Sequence, residues 1–203
     1  MSARAARGRR ARNAGGFSMV ELMLAVSIAG TVTAIAVPQA VHALDEYRTR
    51  AAAHYLAMRL ADARIGAIKR STYVGLRFDA VGADYRFTGV ADGNGNGLRT
   101  TDVQRGDDPV IAAPDMLAWH FTGVTFGILA GLPDADGDPA GTSDGVRVGS
   151  SRLLSMNPNG SSSSGTLYVH GRGRVQYAVR VLGATGRVRV VRYDDGRRAW
   201  VEL

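Results

Sequence analysis

The chain has no cysteine, which excludes a disulfide framework and any thiolate metal site. Histidine is nearly as scarce, with only His42, His54, His120 and His170, and no HExxH, GxSxG or Walker-type pattern brings any of them or the serines into a catalytic arrangement. Four scattered histidines without cysteine read as structural or exposed, and no enzyme is expected. Acidic residues are missing from the first sixteen positions, where Arg4, Arg7, Arg9, Arg10 and Arg12 stand alone. Without those five arginines the formal charge of +7 falls to +2, so the overall basicity does not argue for nucleic acid. What remains is a dipole. Residues 92–144 hold nine Asp against Arg99 and Arg105, whereas residues 165–203 hold eight Arg against Asp194, Asp195 and Glu202.

What is present begins with GGFSMVELMLAVSIAGTVTAIAVPQA, residues 15–40. From Phe17 to Val37 the only charge is Glu21. As a helix this stretch measures roughly 31 Å at about 1.5 Å per residue, the thickness of a bilayer's hydrocarbon core, about 30 Å. Arginines before it and the mixed DEYRTR after it place the N-terminus in the cytoplasm and the remainder outside. A plain anchor fits these features. So does a cleaved secretory signal ending at VHA, residues 41–43, although the apolar run exceeds the roughly 7–15 residues of a signal core and contains a Glu.

Past Pro38, which would kink a helix where it leaves the lipid, Leu44, Tyr47, Ala51, Tyr55, Met58, Ala61, Ile65 and Ile68 recur at spacings of three and four. This predicts an amphipathic helix to about Arg70 whose apolar stripe is the core face. The period then changes to two. Strands are expected at 72–79, 84–90, 117–121, 124–129 and 146–149, then in GTLYVH, RVQYAVRVL, GRVRVVRY and RAWVEL, joined by Gly-rich turns. A helix followed by antiparallel strands is an α+β pattern, and SSSSG at 161–165 reads as a flexible loop.

Two constellations suggest ligands. In DGNGNGLRTTD, residues 92–102, Asp92, Asn94 and Asn96 alternate as in the start of a calcium loop, with Gly97 at the sixth position and Asp102 one place short of the twelfth. A glycine-rich turn is the competing reading. A second acidic loop offers Asp134, Asp136, Asp138 and Asp144, interrupted by Pro139. The other constellation is arginine-rich: Arg174, Gln176 and Arg180 share one strand face, and Arg187 and Arg189 recur on the next strand, with Arg192, Arg197 and Arg198 nearby. If LGATG is the connecting hairpin, this ladder lies on a solvent face, to bind DNA phosphates, guard a sheet edge, or meet the acidic middle of the same or a neighbouring subunit.

GFSMVEL, the apolar stretch and Pro38 together resemble the class III signal of type IV prepilins and type II secretion pseudopilins. MRLADARIGAIKRSTYVGLRFD (58–79), NPNGSSSSGTLYV (157–169) and TGRVRV (185–190) resemble the GspH/FimT group within them. The resemblance implies a leader, 1–16, cut after Gly16 by prepilin peptidase, with Phe17 then N-methylated and Glu21 as the fifth-position carboxylate. It implies a transmembrane helix over 17–38, its amphipathic continuation over 39–71 and a β-rich pilin-like domain over 72–203. It further implies an inner-membrane subunit with a periplasmic C-terminal domain, working with other pilins or pseudopilins and an assembly platform at or near a filament tip. A pilus-displayed DNA-binding subunit is the alternative. No cofactor is implied beyond the calcium candidate.

Overall fold

The computed structural model describes residues 16, 18–139 and 141–203. A single helix, α1, spans Met19–Arg70 and carries Pro38 inside it. Ser18 precedes it and accepts the Glu21 backbone N–H on its Oγ at 3.2 Å, the Ser-x-x-Glu pattern that opens helices by satisfying an otherwise orphaned donor. Contacts divide the chain at Val41 and His42 into two units. In the first, every described side chain is exposed. Length and hydropathy make that helix able to cross a membrane.

The second unit holds the rest of α1 and two antiparallel sheets. The first sheet comprises β1 (Val74–Val81), β2 (Asp84–Ala91), β3 (Val110–Met116) and β6 (Leu153–Met156), in the order β3-β2-β1-β6. The second comprises β4 (Thr125–Phe126), β7 (Gly165–His170), β8 (Gln176–Leu182), β9 (Arg187–Asp194) and β10 (Ala199–Glu202), in the order β10-β9-β8-β7-β4, with β5 (Val146–Arg147) also on β7. Short helices α2 (Thr100–Arg105) and α3 (Leu117–His120) flank β3. Gly82, at φ +62, opens the two-residue turn that sets Val81 opposite Asp84. The Gly183–Gly186 connection sets Leu182 opposite Arg187, as the LGATG reading expected.

Several expected strands are corrected. Within 117–121, Leu117–His120 form α3 instead of a strand, and only Thr125–Phe126 of 124–129 is in a strand. Strands β3 and β6 and helix α2 were not expected at all. The β3 strand carries Pro114 and runs along the sheet edge with most side chains half-exposed or exposed, so it never acquires clean alternation.

The larger correction concerns which face of α1 is the core. The buried residues are Asp45, Thr49, Ala52, Ala53, Leu56, Leu60, Ala63 and Ala67. From Ala52 onward they pack against Val74, Leu76, Phe78 and Phe87 of one sheet and Val169, Tyr177, Val179 and Val181 of the other. Of the expected stripe, Tyr55 is half-buried against Phe87 and Phe121. Leu44, Tyr47, Met58, Ala61, Ile65 and Ile68 are exposed. Both stripes obey the helical period. The alanines win the core because small side chains let the helix axis lie close to the sheets, and the larger apolar residues are left outside.

A second apolar cluster explains a residue the strand pattern had assigned to solvent. Residues 127–139 cross the outer face of the second sheet, and Ile128, Leu132 and Ala135 cover Tyr168, Ala178 and Val191. Gln176 is fully buried beneath them. Its Oε1 accepts the Leu129 N–H at 2.9 Å, and its Nε2 donates to the carbonyls of Gly127 at 2.9 Å and Val169 at 3.0 Å. A buried amide satisfied this fully fixes the covering segment in place.

Candidate assembly and interaction surfaces

The expected processing site falls at the edge of the described residues. Gly16 is exposed, whereas Phe17 and the leader residues 1–15 lie outside them. Glu21 stands in the first turn of α1 with an exposed side chain. Two roles are open to its carboxylate: complementing the positive end of the helix, and meeting a cation supplied by another molecule.

The second surface is the displaced stripe. Tyr47 is 70% exposed and Met58 63%, with Ile65 and Ile68 near half, on a helix whose opposite face is the domain's core. Large apolar side chains aligned this way along one helix face form an extended patch of the kind that marks an interaction site.

The third feature ties the sheet to the helix. Asp45, 9% exposed, accepts the backbone N–H groups of Arg172 at 3.0 Å and Gly173 at 2.8 Å, one on each carboxylate oxygen. The close approach depends on glycine. A Cβ at Gly171 would stand 2.5 Å from Thr49 Oγ1 and 2.6 Å from each Asp45 oxygen. The expected stripe passed over Asp45, and its partners are 127 and 128 residues away.

The calcium candidates converge on a loop that is closed by its own hydrogen bonds. Asp92 accepts the N–H groups of Asn94, Gly95 and Gly97. Asp108, which the spacing argument missed, is 1% exposed and accepts those of Gly93 and Arg99. Asn94 and Asn96 direct their amide nitrogens at Asp102 Oδ2, at 3.4 and 3.0 Å. These donors, Asn96 foremost, outweigh burial and hold the Asp102 carboxyl below its usual range. Asp102 belongs to α2, not to a continuing loop. In the second acidic loop, Asp134 pairs with Arg147 at 3.1 Å and Asp136 with Arg180, and Asp144 accepts the Tyr85 hydroxyl at 2.7 Å. Among the described residues, no group of three or more His, Cys, Asp or Glu is arranged to hold a metal ion.

The arginine ladder is only partly a ladder. Arg180 and Arg189 are direct cross-strand neighbours, and Arg187 lies opposite Leu182 on that face. Arg192 is paired in register with Tyr177, a core residue on the helix side, and belongs to the opposite face, where it pairs with Glu46 at 2.9 Å. Arg174 precedes β8 instead of extending it. Arg180 also donates to the Ala135 carbonyl, and Arg189 pairs with Glu202 at 3.3 Å. The acidic middle and basic end therefore meet within one chain. Of the histidines, His120 pairs with Asp115 at 2.8 Å, and the Tyr55 hydroxyl donates to that carboxylate's other oxygen. Burial would raise Asp115, but the donors Tyr55, His120 and the Met116 N–H prevail and lower it.

Residues 11–37 match the prokaryotic N-terminal methylation motif. The chain thus carries the prepilin-type N-terminus that GFSMVEL suggested. Among solved structures, the minor pseudopilin EpsH from the Type 2 Secretion System of Vibrio cholerae aligns over 71% of this chain and 97% of its own, at 16% identity and a TM-score of 0.44. No curated protein matches the chain.

Proposed function

We propose that the protein is a non-enzymatic structural subunit of a type IV pilus or type II secretion pseudopilus, placed at or near the tip. Prepilin peptidase cuts after Gly16, Phe17 becomes the methylated first residue, and the apolar helix holds the subunit in the inner membrane with its second unit in the periplasm. Assembly then transfers it, through the membrane platform, into a filament of related subunits. The observation that carries this reading is the methylation motif at 11–37. The exposed stripe Leu44, Tyr47, Met58, Ile65 and Ile68 supports it, because these residues would leave water when helices pack side by side.

A DNA-binding role has less behind it. Of its five arginines, Arg180, Arg189 and Arg192 are engaged by Asp136, Glu202 and Glu46, which leaves only Arg174 and Arg187, and neutralised arginines release few counterions from phosphates.

The absence of native cysteine supplies the experiment. An Ile65→Cys variant is exposed to a maleimide reagent while the subunit stands alone in the membrane, and is expected to become protected in the sheared filament fraction. An Arg105→Cys variant, on exposed α2, should react in both. Equal labelling of Cys at position 65 in membrane and filament would rule out the stripe as the packing face.

A further inference from the structure

The sequence GRGR, residues 171–174, joins β7 to β8, and its backbone is clasped by Asp45. The clasp consumes main-chain donors only. It therefore leaves both arginine side chains available, and Arg172 and Arg174 are exposed. Among the described residues neither forms an ion pair, in contrast to Arg180, Arg189 and Arg192. Arg48 and Arg50, on the same stretch of α1 as Asp45, add two further positive charges without an ion-pair partner among those residues. The acids alongside are already committed: Asp45 to the two amides, and Glu46 to Arg192. The Arg174 side of the turn borders a groove lined by His42, Arg192, Tyr193 and Asp195. Asp195 is the one uncommitted acid there, and it leaves the turn itself positive.

Seven residues separate Pro38, at the end of the apolar span, from Asp45. Even fully extended, seven residues reach no further than about 25 Å. The GRGR turn is thus tethered beside the bilayer surface, where a local concentration in the millimolar range makes weak contacts count. Guanidinium groups suit phosphate because their planar donors engage its oxygens in pairs.

We propose that Arg172 and Arg174 dock the periplasmic domain onto anionic phospholipid headgroups while the subunit waits in the membrane. Docking fixes the domain's orientation through the GRGR turn and is released when the subunit leaves the lipid. This rests on the membrane-span reading of residues 17–38. Each arginine near an anionic surface changes the docked-to-free ratio by about fivefold, so the two together give roughly thirtyfold. That advantage falls as the Debye length shrinks from about 10 Å at 0.1 M salt to about 3 Å at 1 M.

The test uses the full chain in nanodiscs, with a fluorophore on a single Leu203→Cys at the groove and an acceptor on the lipid headgroups. Discs of phosphatidylcholine alone are compared with discs containing phosphatidylglycerol. Energy transfer should be higher with phosphatidylglycerol and should fall to the phosphatidylcholine level in high salt. It should fall likewise in the Arg172→Glu, Arg174→Glu variant. Because the Asp45 clasp is made by backbone, that variant should melt as the wild type does. An Arg172→Gln, Arg174→Gln variant, which lacks the added negative charge, should lose most of the lipid dependence. Transfer that ignores phosphatidylglycerol in the wild type, or that keeps its dependence in either double variant, overturns the proposal. Failure of the chain to enter discs at all would instead sink the membrane-span reading.

Discussion

Leu60→Ala is expected to destabilise the second unit by roughly 2–5 kcal/mol, while Met58→Asp combined with Ile65→Asp should leave its melting temperature almost unchanged and abolish entry into filaments. The contrast follows from geometry on one helix. Leu60 is fully buried among residues of both sheets, so removing three carbons deletes transfer energy and leaves a cavity that packed strands fill only partly. Met58 and Ile65 face water in the isolated chain, and surface substitutions usually fall within about 0.5 kcal/mol. If the stripe is the face that neighbouring helices cover, two carboxylates there would be buried without partners, which lipid-free packing tolerates poorly. Thermal melting and the filament fraction are measured on the same variants. A large loss of stability from the Met58 and Ile65 pair would mean that the stripe belongs to the core after all.

Glu21 gives the second large effect. In a membrane helix a carboxylate costs about 2.5–3.5 kcal/mol on insertion scales, so Glu21→Ala should insert at least as well as the wild type. Its cost should appear at assembly if, as we propose, cleavage after Gly16 frees an amine on Phe17 of one subunit that pairs with Glu21 of another. Breaking a buried ion pair by removing one partner costs roughly 3–5 kcal/mol, which corresponds to about a hundredfold or greater drop in incorporation. The Ser18 cap offers a different account, in which Glu21 merely helps start the helix. Glu21→Gln separates the two, because glutamine serves at the third helical position of a capping box as glutamate does but carries no charge. Both Gln and Ala variants should be excluded from filaments while remaining in the membrane. Normal incorporation of Glu21→Gln would assign the residue to the cap alone.

Legibility in the sequence followed how local each signal was. The α+β class, the long helix ending at Arg70, and the hairpins β1–β2, β7–β8 and β8–β9 were readable because period and turn chemistry lie within a few residues of each other. The core face of α1 was misread because two stripes share the same spacing, and side-chain size pointed to the wrong one. Nothing in the order Asp45, Thr49, Ala52, Ala53 announces that a glycine turn more than 120 residues later needs small neighbours and a carboxylate. Gln176 was assigned to solvent, and Arg192 grouped with the ladder, for a related reason. Alternation along β8 and β9 gives two faces, but it does not reveal that residues 127–139 cover one and α1 the other. The loop 92–102 has the oxygen spacing of a cation site, yet spacing is silent on whether backbone N–H groups reach those oxygens first.

The central claim is that this chain is made as a precursor and becomes a filament subunit through its N-terminus. The most direct measurement is the mass of the mature N-terminal peptide from the native host. A peptide that begins at Phe17 with one methyl group on its amine is the expected result. A chain that still begins at Met1, or one that begins at Leu44 as a conventional signal cleavage would leave it, contradicts the account.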